Sequence, residues 1–336
     1  MMRLVLALML LLAAPALAAP PASGTLVEIP EFASKFVKPR HVSIWLPPGY
    51  SAQGKPARVL YMHDGQNIFD GANAYGGNEW GVDEAVTKLL AGHKLPPMIV
   101  VGVWNTDKRY EEYFPQKLAQ YLPPGLQAKL DAAAKGGLQG DAYLKFLVRE
   151  LKPHIDSHYR TLPGPADTAV MGSSMGGLIS IYAMAEYPRV FGQAAALSVH
   201  WPLVAPSDAA NAAGDADAVA NAFTRYFATA KWAPGRNRLY IDHGDQGLDQ
   251  FYRPYSARIE AEMPALGWSD ASFVSRTWPG ATHNEASWRA RLDVPLLFET
   301  DADQLCDVVV VAHARLQHRR RRAFARAGMT EEKWQR

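Results

Sequence analysis

The pentapeptide Gly172-Ser173-Ser174-Met175-Gly176 carries the clearest chemistry in the chain. A G-x-S-x-G pattern presents a serine as a nucleophile when it forms the tight turn between a strand and a helix. Here the apolar run Ala169 to Met171 precedes it, and Leu178 to Glu186 is compatible with a helix after it. The glycines are expected to be required, because a side chain at Gly172 or Gly176 would meet neighbouring backbone. Ser174 should then stand at the top of a sheet with its hydroxyl toward solvent. The Met175 N–H, in the first helical turn, should point where an oxyanion would form. A Gly/Ser-rich loop would carry the same letters, but the strand before and the helix after favour a nucleophilic serine.

Such a serine needs a base, a group that orients the base and a second oxyanion donor. Where this elbow occurs, the partners follow in the order Ser, Asp or Glu, then His. Ahead of the C-terminal tail, His200, His243 and His283 are the downstream candidates. His283 lies in Gly280-Ala281-Thr282-His283-Asn284-Glu285, a short loop between the last strand and a helix, from which it can reach across the strand ends. His200, followed by Trp201-Pro202, can line a pocket, and His243 ends a strand; both read more simply as packed residues. The acid is sought among Asp242, Asp245 and Asp249. Asp242 should end its strand buried against a nearby amide, and Asp245 falls in an exposed Asp-Gln-Gly turn. Asp249 follows Leu248, which can dock the loop and fix the carboxylate beside His283. Metal catalysis has no support, since there is no H-E-x-x-H and the histidines are scattered; no cofactor is called for.

The elements that must position these groups alternate. Thr25 to Ile29 and His41 to Leu46 read as strands, turned by Pro47-Pro48-Gly49-Tyr50. Arg58 to Met62 and Met98 to Val103 are apolar runs suited to the centre of a parallel sheet, and Trp80 to Leu90 between them has helical spacing. Asp141 to His158 is an amphipathic helix that Pro153 should kink or shift. After the elbow come a strand at Gln193 to Val199, an Ala-rich helix at Ala209 to Ala230 and a strand at Arg238 to Asp242. A helix at Ser256 to Leu266, a strand at Ser272 to Trp278 and a helix at Glu285 to Leu292 complete the pattern. The expected fold is α/β, one doubly wound, mostly parallel sheet with helices on both faces.

Composition narrows the setting. With 48% hydrophobic and 20% charged residues the chain is an ordinary globular one, and a net charge of +2 does not call for nucleic acid as a partner. Met1-Met2-Arg3, the apolar run Leu4 to Leu12 and Ala16-Leu17-Ala18 read as a signal peptide over residues 1–19, cleaved after Ala18 or Ala19. Pro15 and Pro20-Pro21 interrupt the run well short of a membrane span, so export without stable membrane insertion is expected. Cys306 is the single cysteine, which rules out an intramolecular disulfide. From about Glu299 the alternation breaks, and Arg319 to Arg322 reads as part of a solvated basic tail, 299–336, outside the core of a 20–298 domain.

The chain resembles the Putative esterase family of α/β-hydrolases, the group that includes esterase D, enterochelin esterases and feruloyl esterases. Carrying the resemblance are Tyr61-Met62-His63-Asp64-Gly65-Gln66-Asn67-Ile68-Phe69, Trp80-Gly81-Val82-Asp83, Val101 to Thr106 with Arg109 and Glu112-Tyr113, Gly172 to Gly177, Asp242-His243-Gly244 with Leu248-Asp249, and Gly280 to Glu285 with Trp288 and Arg291-Leu292. It spans residues 40 to 298; the elbow alone is common to many hydrolases, whereas the two His-containing loops are narrower. The resemblance implies an α/β-hydrolase fold and a second oxyanion donor next to Gly65, the N–H of Gln66. It also favours Asp249, paired with Leu248 and followed by Tyr252, as the acid. Trp104, Arg109 and Tyr113, after a strand end, are expected at the edge of the substrate cleft, with Trp201 nearby. Aromatics near strand ends suit a flat ring or a sugar, as in a small-molecule or glycan ester.

The expected activity is therefore carboxylic ester hydrolysis by Ser174, His283 and Asp249 through an acyl-enzyme. An acyltransferase would use the same residues, and a carbohydrate- or siderophore-binding protein would have lost their chemistry.

Overall fold

The computed structural model describes residues 24–135, 137–203 and 214–298. Its eight strands are β1 (Thr25–Phe32), β2 (Arg40–Leu46), β3 (Arg58–His63), β4 (Met98–Val103), β5 (Thr168–Ser173), β6 (Gln193–Leu197), β7 (Arg238–Gly244) and β8 (Phe273–Trp278). They form a single sheet in the order β1-β2-β4-β3-β5-β6-β7-β8. β1 and β2 pair antiparallel at one edge, β2 runs antiparallel to β4, and the rest are parallel. The apolar runs read from sequence become β3, β4 and β5, buried along their whole length. They have no polar face because the sheet is covered twice.

Successive residues of each strand feed opposite layers. Val59, Tyr61, Val101 and Val170 pack into one layer with α2 (Arg109–Tyr113), α3 (Pro124–Ala133), the long helix formed by α4 (Gly140–Phe146) and α5 (Lys152–His158), α6 (Met175–Glu186), α7 (Ala216–Phe227) and α8 (Arg253–Glu262). Leu60, Met62, Val100 and Met171 face the other layer, closed by α1 (Val82–Ala91), Trp288 of α9 (Glu285–Arg289) and α10 (Asp293–Phe298). The doubly covered, mostly parallel architecture is the one expected.

Local differences have local causes. The helix expected to bend at Pro153 instead widens into a π-turn over Leu147–Leu151 between α4 and α5, which accommodates a proline ring that would otherwise meet the carbonyl one turn back. α6 begins at Met175 rather than Leu178, and it is buried on all sides from Met175 to Ala185, as an apolar helix at the centre of a layer must be. β7 runs two residues past Asp242. The expected helix from Glu285 to Leu292 stops at Arg289 as α9, and a further short helix, α10, follows from Asp293. Of the Ala-rich helix, α7 is the described part. The leader over 1–19, residues 204–213 and the tail 299–336 lie outside the described residues.

Strand order places the site. β3 is followed by β4 on one side, and the chain then returns to set β5 on the other. In open α/β sheets, ligands lie beyond the carboxyl ends of strands at such a reversal. The two adjoining ends are those of β3, leading to Asp64, and β5, leading to Ser174.

Candidate active site

Ser174 stands between β5 and α6 with φ 56° and ψ −123°, backbone that an L-residue adopts only under constraint. The constraint is hydrogen bonding: the Ser174 N–H donates to Leu197 O at 2.9 Å, and its carbonyl accepts from Gly177 at 3.1 Å, Leu178 at 3.2 Å and His200 at 3.3 Å. A Cβ on Gly172 would come within 2.7 Å of the Gly176 backbone, so glycine is required there. Gly176 differs from expectation, because a Cβ would meet the side chains of His63 and Asp64 at 3.3 and 3.4 Å rather than backbone. Ser174 is also less open than expected, at 9% exposed. It forms the floor of the site, not a projection from it.

His283 and Asp249 are brought together. His283 Nδ1 donates to Asp249 Oδ1 at 2.6 Å, and Asp249 Oδ2 accepts from Gly244 N and Ser198 Oγ, each at 2.6 Å. Burial alone would raise the Asp249 carboxyl, but its bond to His283, the imidazole's charge and the Ser198 and Gly244 donors outweigh it and hold it below the ordinary value. Asp245 is elsewhere, accepting from Gly280 N at 2.7 Å. Asp242 is buried and clamped by Arg291 through Nε at 2.9 Å and Nη2 at 3.0 Å, and it also accepts from Ser198 N at 3.0 Å.

Tyr252 links this pair to the elbow. Its ring packs edge-on to His283 with centroids 5.6 Å apart, and its hydroxyl shares a 2.8 Å bond with the Nδ1 of His200, whose backbone N–H donates to Ser174 O. Among the described residues the Ser174 hydroxyl makes no hydrogen bond to His283. Nucleophile–base contacts are often this loose before substrate arrives.

The end of β3 closes the other side. Asp64 takes left-handed backbone at φ 57°, ψ 47°, which leads into the turn Gly65–Asn67. A Cβ on Gly65 would lie 2.6 Å from the Gly102 carbonyl carbon and 2.7 Å from Trp104 Cδ1, so its smallness serves packing on β4. The Gln66 N–H and the Met175 N–H donate to no protein acceptor among the described residues, as expected of donors at helix starts. Asp64 accepts from Arg109 Nε and Nη2, both at 2.7 Å, and from Asn105 Nδ2 at 2.6 Å. Burial pushes His63 down to about 3, so it is a neutral packing group, bonded to Tyr143 at 2.8 Å.

The expected cleft residues divide. Trp104 is half-buried, stacked on His41 with centroids 4.2 Å apart and donating to Ser43 at 3.0 Å. Arg109 is spent on Asp64 and lies over the Tyr113 ring, 5.2 Å from its centroid. Tyr113 is 0% exposed and Trp201 1%, so both support the site from beneath instead of edging a cleft. Trp201 donates to Ser256 at 3.0 Å, which uses its polar edge inside the layer. Sequence reasoning passed over Ser198 and Glu285. The position of Ser198, directly after an apolar strand beside the elbow strand, was the signal available for it.

Among the described residues no three His, Cys, Asp or Glu side chains gather so as to hold a metal ion, and no helix is long and apolar enough to cross a membrane.

Solved structures share this fold. A ferulic acid esterase is 19% identical with a TM-score of 0.56, covering 83% of this chain and 98% of that one. Ferric enterobactin esterase from Salmonella typhimurium is 17% identical with a TM-score of 0.58, covering 84% of this chain and 59% of that one. Both likenesses establish the α/β-hydrolase fold. Among curated sequences, the uncharacterized protein YbbA of Bacillus subtilis (strain 168) is 25% identical over 159 residues, 47% of this chain; the chain spans 56% of that relative's length. A shorter stretch of 78 residues, 23% of this chain, is 54% identical to 36% of a dephospho-CoA kinase from Mesorhizobium japonicum, too small a share to carry that protein's activity. The family model described as Putative esterase matches residues 33–298, and the chain belongs to that family.

Proposed function

We propose that the protein is an exported serine esterase that hydrolyses carboxylic esters through Ser174, His283 and Asp249. The observation that carries the reading is the 2.6 Å contact of His283 Nδ1 with Asp249 Oδ1, set across Tyr252 from a serine at strained backbone. Asp249 fixes the imidazole tautomer, leaving Nε2 as the base. His283 takes the Ser174 proton as Oγ attacks the acyl carbon, and the N–H groups of Gln66 and Met175 hold the oxyanion. Collapse of the tetrahedral species breaks the ester C–O bond, and His283 returns the proton to the departing alcohol. A water, deprotonated by His283, then releases the acid and restores Ser174.

Residues 20–298 make up the catalytic domain in this reading, with the tail 299–336 outside it and the leader removed on export. The neighbours' names make feruloyl and siderophore esters, beside short acyl esters, the first substrates to try. A fluorophosphonate probe should label the wild type and not Ser174→Ala. A wild type that resists labelling and leaves simple aryl esters intact would end the proposal.

A further inference from the structure

Glu285 is a carboxylate short of donors. It is 7% exposed, yet its side-chain donor among the described residues is Asn67 Nδ2 at a long 3.4 Å, supplemented by its own backbone N–H. Nearby Arg109 spends Nε and Nη2 on Asp64. Burial first, then the like charge of Asp64, lifts the Glu285 carboxyl above its ordinary value against the pull of His283 and Arg109. A carboxyl with one long side-chain bond keeps acceptor capacity to spare.

Its place says which partner. Glu285 opens α9 two residues after His283, and Asn67 lies one residue beyond Gln66. In ester cleavage the base returns its proton to the departing oxygen, so the alcohol half of the substrate lies on the His283 side. The same Asn67 accepts the Tyr75 N–H on Oδ1 at 2.9 Å. Tyr75 is 82% exposed, so Asn67 joins the Glu285 carboxyl to an exposed segment. A carboxyl with lone pairs to spare suits a chain or ring bearing hydroxyls.

Resting on the esterase reading, we infer that Glu285, steadied by Asn67, accepts a hydrogen bond from a hydroxyl on the alcohol half, so that the enzyme prefers neutral polyol leaving groups. Anionic alcohols meet Glu285 unfavourably, since Arg109 is committed to Asp64.

The test compares kcat/KM on butyrate esters of glycerol, ethanol and choline, for wild type and Glu285→Gln, with fluorophosphonate labelling rate as the check on an intact site. The wild type should favour the glycerol ester. Glu285→Gln should lower the glycerol-to-ethyl ratio about tenfold or more, the scale of a hydrogen bond to a charged group. If Glu285→Gln no longer labels, the same ratio read on Glu285→Asp decides. A ratio the substitution does not move, no glycerol preference in the wild type, or a preference for choline overturns the inference while labelling leaves the esterase reading standing. A wild type that neither labels nor cleaves any of the three overturns both.

Discussion

Ser198 and Asp249, separated by 51 residues, meet at 2.6 Å, with Ser198 Oγ donating to Asp249 Oδ2. The same hydroxyl oxygen accepts from Trp288 Nε1 at 2.9 Å and Arg291 Nη2 at 3.0 Å. Through Arg291 the chain of bonds reaches Asp242 in β7. The carboxylate beside His283 is thus held from β6, β7 and the α9–α10 region together, and fully satisfied polar networks of this kind fix one geometry.

Removing the hydroxyl should therefore disturb both fold and function. Ser198→Ala strands buried donors on Trp288 and Arg291 and is expected to lower stability by about 1–3 kcal/mol. Turnover of an aryl ester should fall about tenfold as Asp249 loses one of its anchors. Urea unfolding and initial rates measure the two effects; a variant unchanged in both would show the bond to be idle.

Asp249→Asn should lower turnover about 10⁴-fold, the effect expected when the orienting acid no longer selects the correct imidazole tautomer. Asp245→Asn, at a loop position bonded to Gly280, should stay within about twofold of wild type. The reverse result at neutral pH would move the acid to Asp245.

Ser174→Ala should reduce turnover on the order of 10⁴–10⁶-fold with the melting temperature nearly unchanged. Ser173→Ala, one residue back in β5, is the control. Activity that survives in the first variant and is lost in the second would reassign the nucleophile.

Acid sensitivity should be traceable to Asp64. Burial works to raise its carboxyl, but the Arg109 charge and the bonds from Arg109 and Asn105 prevail and lower it. A carboxyl depressed in the folded state stabilises the protein fully above its unfolded value of about 3.9, and that contribution is lost as pH falls through the lower folded value. The stability gap between wild type and Asp64→Asn, from urea unfolding, should be constant near neutrality and shrink below about pH 4. A gap that stays constant down to pH 3, or widens, contradicts the assignment.

A chain ending at residue 302 should fold and retain its activity, because α10 closes its layer with Leu296, Leu297 and Phe298 and the family match ends at 298. Loss of soluble, active protein on that truncation would give the tail a structural role.

Much of this was legible in the sequence for definite reasons. Apolar runs such as Met98 to Val103 announce buried parallel strands because both faces are covered, and Gly172 of the elbow announces a backbone approach that geometry demands. Less legible was whether an aromatic packs or binds. Tyr113 and Trp201 follow strand ends as Trp104 does, but their burial depends on helices that close over them from distant segments. The short helix α2 was hidden because only five residues form it, too few for a period. Ser198 was missed because its place after a strand marks a position and not a role; the role comes from Asp249, Trp288 and Arg291, all remote in the chain.

Three neighbouring strand ends hold a non-glycine residue at positive φ: Asp64 at 57°, Ser174 at 56° and Ser198 at 44°. Each such residue lies on the order of 1–3 kcal/mol above relaxed backbone, against a total folding free energy of roughly 5–15 kcal/mol. Glycine at any of the three would relieve the strain, yet it would remove the partner of Arg109, the nucleophile or the donor to Asp249. At Asp64 and Ser198 the lost bonds offset that relief; at Ser174 tolerance of heat and speed of turnover are opposed, and variants of this fold selected for thermal endurance alone would be drawn toward an inert site.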